Sequence, residues 1–285
     1  MTASHLSVDR EVSGEASGKP VQPILSVRQL TYGYRQDEPI FDGLSFEVLE
    51  GEFVALVAPS GIGKTTLFRL LAGLLEPHSG SIQIGTNAAL GSETSRRASS
   101  RLGRVGYMPQ RDCLMPWRTV QDNAAIGLEL AGMSRHEARR KVREMLPVFG
   151  LEGTAKRYPH ELSGGMRQRV SFMRSMLSDA AILLLDEPFS ALDAMTRMEM
   201  QEWLLSVWEK HRRTVLFITH DVDEALLLSD RVLVANRSPV TELHSITVPL
   251  SRPRKYSDTM KPEFIGCKRQ ILDWLGYGAT LGEGG

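Results

Sequence analysis

A short glycine-rich segment of the chain has the residue types that hold phosphate groups. Residues 58–65 follow the pattern GxxxxGK[ST], except that Ala58 stands at the first glycine position and removes some freedom at that turn. Backbone N–H groups of such a loop surround the β- and γ-phosphates, assisted by the positive end of the following helix. Gly61 and Gly63 permit a close approach that a Cβ atom would block. The predicted phosphate contacts are Ser60, Gly61, Ile62, Gly63, Lys64, Thr65 and Thr66.

Three of these side chains have separate tasks. The Lys64 ammonium bridges β- and γ-phosphate oxygens in such a loop, and the Thr65 hydroxyl is a ligand for Mg²⁺. Thr66 adds a contact to the α-phosphate. A GxxxxGK match is common by chance, but this one lies between an apolar strand and a helix, which is the context that a phosphate loop needs.

Carboxylates and an imidazole follow two other apolar segments. Asp186 and Glu187 come directly after residues 182–185, as in a Walker B motif. Asp186 is therefore predicted to hold Mg²⁺ through its water shell, and Glu187 to polarise the attacking water. The alternative is an acidic first turn of a helix, which Asp-Glu-Pro favours. His220 follows the apolar segment at residues 214–218. It is interpreted either as a γ-phosphate sensor or as a capped loop histidine.

The elements that must position these residues are visible in the apolar pattern. Buried parallel strands are predicted at residues 53–57, 181–185, 214–218 and 231–235. A helix is predicted from Thr65 to about Leu75, stopped near Pro77, and residues 120–150 are helix-rich with a break at Pro147. Strands that alternate with helices form a parallel α/β sheet.

Composition excludes several function classes. Lys plus Arg and Asp plus Glu both number 34, so no bulk charge attracts nucleic acid. No apolar run approaches the roughly 20 residues of a membrane span, and the N-terminus lacks the apolar region of a secretory signal. Residues 1–22 are predicted to be disordered, and residues 86–102 to be a solvated connection. Cys113 and Cys267 are interpreted as reduced, buried thiols of a cytosolic protein.

A third motif identifies a family. Leu162–Arg169 reads LSGGMRQR and lies between the phosphate loop and the acidic pair. In this order the three motifs resemble the nucleotide-binding subunit of an ATP-binding cassette (ABC) transporter, over roughly residues 24–275. The resemblance implies an α/β P-loop NTPase of the ABC ATPase type, with a RecA-like parallel-sheet core, an antiparallel β subdomain and a helical subdomain. The implied division is an N-terminal tail 1–22, an ABC ATPase domain 23–249 with its helical subdomain at about 111–177, and a short C-terminal extension 250–285.

In this family the LSGGMRQR signature completes the ATP site of a partner subunit. The signature residues with this role are Ser163, Gly164 and Gly165, whose place at a helix N-terminus suits an anion. The alternative interpretation is an N-capping serine followed by a glycine turn, which explains only the local structure. The resemblance implies a homodimer that encloses two ATP molecules, each held by Lys64 of one subunit and Ser163 of the other. Asp193 resembles the end of the D-loop, which crosses that interface.

Other positions also match the family. Gln110 matches the Q-loop glutamine, which touches Mg²⁺ or the attacking water and reports occupancy to the membrane partner. His220 matches the γ-phosphate sensor. Tyr34 is the best match for the aromatic residue that stacks on adenine, with Tyr32 as the alternative. A strand tyrosine packed on its neighbour is the plain structural interpretation of Tyr34.

Three segments resemble the ATPases of nitrate, sulfonate and taurine importers; they are residues 114–120, 194–197 and 220–225. This type implies transmembrane permease subunits as partners, a periplasmic or lipid-anchored binding protein as an indirect partner, and a peripheral location on the cytoplasmic face of the cell membrane. Trp117 either borders the groove for the permease's coupling helix or is plain core. The C-terminal extension, amphipathic over 263–275, also resembles the importer group's ending.

Other classes of cassette protein have different motif patterns. A chromosome or DNA-repair ATPase separates its motifs by long coiled coils, and a translation-factor cassette carries each motif twice; neither pattern is present. An ATPase of a vitamin-type energy-coupling transporter stays open because it shares the ATP machinery. Nitrate, an alkanesulfonate, taurine and a pyrimidine vitamin precursor all stay open as solutes because the cassette does not touch the solute.

Overall fold

The computed structural model describes residues 23–85 and 98–277. The prediction for residues 1–22 and most of the one for residues 86–102 lie outside this part. The strands are β1 (Pro23–Tyr32), β2 (Phe41–Leu49), β3 (Phe53–Val57), β4 (Ser79–Ile84), β5 (Val105–Met108), β6 (Ile182–Asp186), β7 (Val215–Thr219), β8 (Arg231–Val234) and β9 (His244–Thr247). The α-helices are α1 (Lys64–Leu71), α2 (Val120–Ala124), α3 (Ile126–Leu130), α4 (Arg135–Met145), α5 (Gly164–Met176), α6 (Ala194–His211), α7 (Val222–Leu228) and α8 (Pro262–Trp274).

The main sheet has the strand order β5-β6-β7-β3-β8-β9. Its strands are parallel except for β9, which pairs antiparallel with β8. Every residue of β3, β6 and β7 is buried, as expected for a parallel sheet covered on both faces. The prediction of a parallel α/β core is confirmed, with strand positions that differ from the predicted ones by one residue at most.

A second sheet is antiparallel and has the order β2-β1-β4. Leu25, Val27 and Leu30 of β1 are fully buried and belong to a cluster with Leu67 and Phe68 of α1. The small sheet therefore packs against the helix that follows the phosphate loop. This arrangement confirms the expected antiparallel β subdomain.

The first helix ends earlier than predicted, at Leu71 rather than near Leu75. Gly73 has a φ of 74°, and the N–H of Leu74 turns back to the carbonyl of Arg69 at 2.8 Å. A glycine in the left-handed conformation ends a helix in this way, so the break precedes Pro77. Arg101 then donates to the carbonyl oxygens of Leu70 and Leu75 at 3.1 and 3.2 Å.

Arg101 also corrects the expectation that residues 86–102 form a solvated connection. Its side chain is 1% exposed because the guanidinium group lies against the carboxyl end of α1. An unpaired buried guanidinium is costly, and these carbonyl groups at the helix end accept its hydrogen bonds.

Helices α2 to α5 occupy residues 120–176, and α4 ends at Met145, just before the predicted break at Pro147. The C-terminal helix α8 buries Phe264, Cys267 and Ile271 in the same core cluster as the main sheet. Cys267 is therefore buried as predicted, whereas Cys113 is exposed and its predicted burial is wrong. Among the described residues, none of the helices combines the length and the apolarity that a bilayer crossing requires.

Candidate active site

The phosphate loop joins the carboxyl end of β3 to the N-terminus of α1. Gly63 has a φ of 102°, and a Cβ atom there would lie 2.3 Å from Cγ2 of Ile40, so only glycine fits. Gly61 also has a positive φ, 85°, and faces open space. Ala58 is 2% exposed and is not among the described residues with positive φ, so this turn does not need the freedom of glycine.

The Lys64 ammonium is held at the mouth of the loop. Its Nζ donates to the carbonyl oxygens of Ala58 and Pro59 at 2.9 and 3.1 Å, and lies 3.9 Å from Oε1 of Glu187. Burial lowers the pKa of Lys64, and the carboxylates of Glu187 and Asp186 oppose that shift. Because an ammonium has three donors and the carbonyls take two, one donor is left for a phosphate oxygen.

Asp186 ends β6 and is 3% exposed. The Tyr107 hydroxyl donates to its Oδ2 at 3.2 Å, and the Thr65 hydroxyl bonds to the same carboxylate. Burial raises the pKa of Asp186, and the hydrogen bonds from Tyr107 and Thr65 oppose that shift. In the described part of the chain no three acidic, histidine or cysteine side chains cluster as metal ligands. One carboxylate beside one hydroxyl is instead the donor set that holds Mg²⁺ together with phosphate oxygens and water.

Glu187 lies at the centre of the site. Its Oε2 accepts a hydrogen bond from Nε2 of Gln110 at 3.0 Å and lies 3.6 Å from Nδ1 of His220. Gln110 follows β5, Glu187 follows β6, His220 follows β7 and Lys64 follows β3. The carboxyl ends of four neighbouring strands therefore bring together four predicted residues. Glu187 itself has a φ of 45°, a conformation that is uncommon for a non-glycine residue and found at functional sites.

The two candidate adenine-stacking residues differ in exposure. Tyr34 is 62% exposed, and its hydroxyl lies 3.3 Å from that of Thr66 beside the phosphate loop. Tyr32 is 7% exposed and packs against His78 at 5.1 Å between ring centroids. Tyr34 also contacts Tyr32 edge to face, so it packs on its neighbour and still offers a free ring face. Of the two rings, only that of Tyr34 is accessible to a base.

The signature residues do not reach the phosphate loop of their own chain. Ser163 caps α5 by accepting from the N–H of Met166 at 3.3 Å, and Asp193 caps α6 by accepting from Thr196 at 3.1 Å. Within the described ranges no hydrogen bond or ion pair joins Ser163, Gly164 or Gly165 to Lys64. Gly164 instead borders an open cleft of about 720 Å³ together with Gln110 and residues 190–192.

Trp117 corrects one prediction, and Ser190 adds two hydrogen bonds to the site. Trp117 is 74% exposed, so its interpretation as core is wrong. Ser190 accepts a second hydrogen bond from Gln110, at 3.3 Å, and donates to the Glu187 carbonyl at 2.9 Å. No contact of the Ser190 or Tyr107 side chain with the catalytic residues was predicted from the sequence. The contact of Tyr107 with Asp186 spans 79 residues and that of Ser190 with Gln110 spans 80, so neither has a local signal in the sequence.

Comparison with known proteins agrees with this geometry. The family model described as ABC transporter matches residues 41–190. The chain belongs to the ABC transporter family. It is 41% identical over 243 residues to the formylaminopyrimidine import ATP-binding protein ThiZ of Halalkalibacterium halodurans, covering 85% of this chain and 92% of the relative. It is 40% identical over 257 residues to the aliphatic sulfonates import ATP-binding protein SsuB 1 of Rhodococcus jostii, covering 90% and 96%.

A solved ABC structure has the same fold. The dimeric, post-hydrolysis state of the ATP-binding cassette MJ0796, bound to ADP and Pi, superposes with a TM-score of 0.63 at 26% identity. The match covers 80% of this chain and 100% of the other. The predicted ABC ATPase fold is thus confirmed. The ABC chain described here binds and hydrolyses ATP as the ATP-binding subunit of an importer.

Proposed function

We propose that this ABC subunit drives import of a small polar solute of the nitrate, sulfonate, taurine or pyrimidine-precursor class through a separate permease. The catalytic part of this proposal is supported by one observation. Neighbouring strand ends bring together Lys64, Gln110, Glu187 and His220. The solute class is supported by the two import relatives, which are named for a formylaminopyrimidine and for aliphatic sulfonates.

ATP binding is assigned to the phosphate loop and the tyrosine beside it. The amides of residues 60–66 surround the β- and γ-phosphates, and Lys64 contributes its remaining donor to them. The ring of Tyr34 stacks on adenine, while its hydroxyl stays beside Thr66. Thr65, Asp186 and Gln110 would hold Mg²⁺, which supplies positive charge against the phosphate oxygens.

Hydrolysis is assigned to Glu187. Its carboxylate accepts a proton from a water molecule while the water oxygen attacks the γ-phosphorus and ADP leaves. Gln110 and His220 both approach Oε2 of Glu187, so they are placed to orient the water between them. Lys64 faces Oε1 of Glu187, on the side where the phosphates would enter.

A complete site requires two chains. Among the described residues, no hydrogen bond or ion pair joins Ser163, Gly164 or Gly165 to the phosphate loop of their own chain, and Asp193 follows the loop that borders the cleft. We assign these residues to the ATP of a second copy, so the active form is an ATP-enclosing homodimer. The dimeric ABC neighbour supports this assembly.

The permease is proposed to dock beside the cleft that contains Gln110. Exposed Trp117 and the neighbouring Arg118 lie a few residues along the chain from that glutamine, so a contact here reaches the catalytic site through a short segment. Docking to transmembrane permease subunits places the protein peripherally on the cytoplasmic face of the cell membrane. A periplasmic or lipid-anchored binding protein would deliver the solute, and nucleic acid has no part.

Reconstitution tests this proposal. The chain and its permease are placed in proteoliposomes with the binding protein, and ATP hydrolysis is measured with nitrate, taurine, an alkanesulfonate or a formylaminopyrimidine. One solute class should stimulate hydrolysis and accumulate inside the vesicles, and Lys64→Ala should abolish both signals. Hydrolysis that none of the four solutes changes would reject the solute class, while loss of all hydrolysis in the parent would reject the catalytic assignment.

A further inference from the structure

A buried carboxylate outside the assigned catalytic set lies behind His220. Glu224 is on the first turn of α7 and is 6% exposed. Its Oε1 accepts from Nε2 of Gln201 on α6 at 2.8 Å, and its Oε2 accepts from the hydroxyl of Thr219. A buried carboxylate is costly unless its oxygens are hydrogen-bonded, and here both are.

The Thr219 hydroxyl connects Glu224 to the turn that holds His220. Its Oγ1 accepts from the backbone N–H of Asp221 at 3.0 Å. The carboxylate of Asp221 in turn accepts from the N–H groups of Asp223 and Glu224 at 2.9 and 3.1 Å. His220 therefore sits between two residues whose positions are set by one closed ring of hydrogen bonds. Its own side chain is 59% exposed, with Nδ1 3.6 Å from Oε2 of Glu187.

A guanidinium group connects the same carboxylate to the D-loop. Arg197 of α6 donates to the carbonyl oxygen of Leu192 at 3.1 Å, directly before Asp193. Its charge stabilises the ionised form of Glu224, although burial is the larger effect and raises the pKa of Glu224 to about 6. Arg197 and Glu224 border the same cavity as His220 and Glu187.

We infer that Glu224 is a positioning residue for hydrolysis, which holds His220 at Glu187 through the Thr219 hydroxyl. Neither the family match nor the names of the relatives assigns a role to it. The inference rests on the sensor role proposed for His220. Glu224 does not touch the nucleotide, so its loss should lower kcat and leave the KM for ATP unchanged.

The test compares Glu224→Gln with the parent in two backgrounds. Gln keeps the shape but removes the charge and replaces one of the two acceptor oxygens with an amide donor, so Gln201 and Thr219 can no longer both donate to it. At pH 8 and saturating protein concentration, Glu224→Gln should lower kcat about tenfold in the otherwise parental chain. In a His220→Ala background it should lower kcat less than twofold, because the group being positioned is gone. Thr219→Val should match Glu224→Gln without adding to it, whereas Thr219→Ser, which retains the hydroxyl, should restore most of the rate.

The pH profile provides a readout that a purely structural role would not change. The charged groups around Glu224 are Arg197, Asp221, His220, Glu187, and Asp223 with its partner Lys268 at 2.8 Å. As pH falls through about 6 the parent's Glu224 gains a proton and becomes neutral, like Gln. The ratio of parent to Glu224→Gln kcat should therefore shrink from about tenfold at pH 8 to about threefold at pH 5.5.

Asp223→Asn is the matched control, since it removes a neighbouring carboxylate of the same helix and should leave kcat unchanged. A thermal melt of each variant shows whether it is folded. Equal kcat losses with and without His220, or a loss independent of pH, would overturn the inference. If His220→Ala itself has the parental kcat, the proposed sensor role falls and this inference with it. If His220→Ala is impaired and Glu224→Gln is not, only this inference falls.

Discussion

Replacing Glu187 with glutamine separates nucleotide binding from hydrolysis. The backbone conformation at φ 45° is equally demanding for both residues, so the substitution adds no strain of its own. Glutamine keeps an oxygen that accepts from Gln110, now at 3.0 Å, but it has no charge to take a proton from water. The expected loss in kcat is 10²- to 10⁴-fold, which corresponds to about 3 to 5 kcal/mol of barrier.

Binding should survive because its determinants stay in place. Lys64 lies 3.9 Å from Oε1 of Glu187, a distance at which two charges attract by about 4 kcal/mol near a protein surface. Loss of that carboxylate leaves the ammonium free for the phosphates, so affinity for ATP should be equal or higher. Since hydrolysis is what reopens the dimer, the variant should accumulate as an ATP-bound dimer.

The assay combines phosphate release, equilibrium nucleotide binding and size-exclusion chromatography with Mg²⁺-ATP. Glu187→Gln should elute at twice the monomer mass and return to the monomer when nucleotide is removed. Asp186→Asn is the control, because loss of a metal partner should weaken retention of Mg²⁺-ATP as well. Hydrolysis by Glu187→Gln at near the parental rate would refute the assignment of the base and direct the search to His220 and Gln110.

Further predictions concern the loop, the assembly and the docking surface. Lys64→Ala should lose nucleotide binding or turnover in a binding and phosphate-release assay, because no other donor replaces its charge. Ala58→Gly should be nearly silent, since Ala58 has no positive φ; a tenfold gain in affinity would contradict this. Turnover per chain should fall steeply with dilution because the signature is proposed to act on a second copy, and full activity of a stable monomer would contradict this proposal. Arg118→Cys, made in a Cys113→Ser background because Cys113 is exposed, should crosslink to a cytoplasmic permease loop in native membranes; crosslinks found only from another face would move the docking site.

The catalytic elements were predictable because each one is encoded within a few neighbouring residues. The phosphate loop needs glycines at fixed positions between a strand and a helix, and Gly63 occupies a place where any Cβ would clash. Asp186 and Glu187 follow an apolar run long enough to be a buried strand, so they are expected at the carboxyl end of that strand. Motifs of this kind depend on local backbone conformation and on the spacing of apolar residues, and both can be inferred from the sequence alone.

The tertiary structure alone decided how these elements meet and which side chains support them. Arg101 lies in a segment predicted to be solvated but is buried against a helix end 31 residues away. Trp117, for which the sequence leaves open the core or the groove for a permease helix, is exposed. The link from Tyr107 to Asp186 spans 79 residues. The sequence by itself determined the family, the phosphate loop and the acidic strand end. The ring of hydrogen bonds around Glu224 and the difference in exposure between Tyr34 and Tyr32 arise only when strands and helices pack, because burial and long-range hydrogen bonding have no local signature.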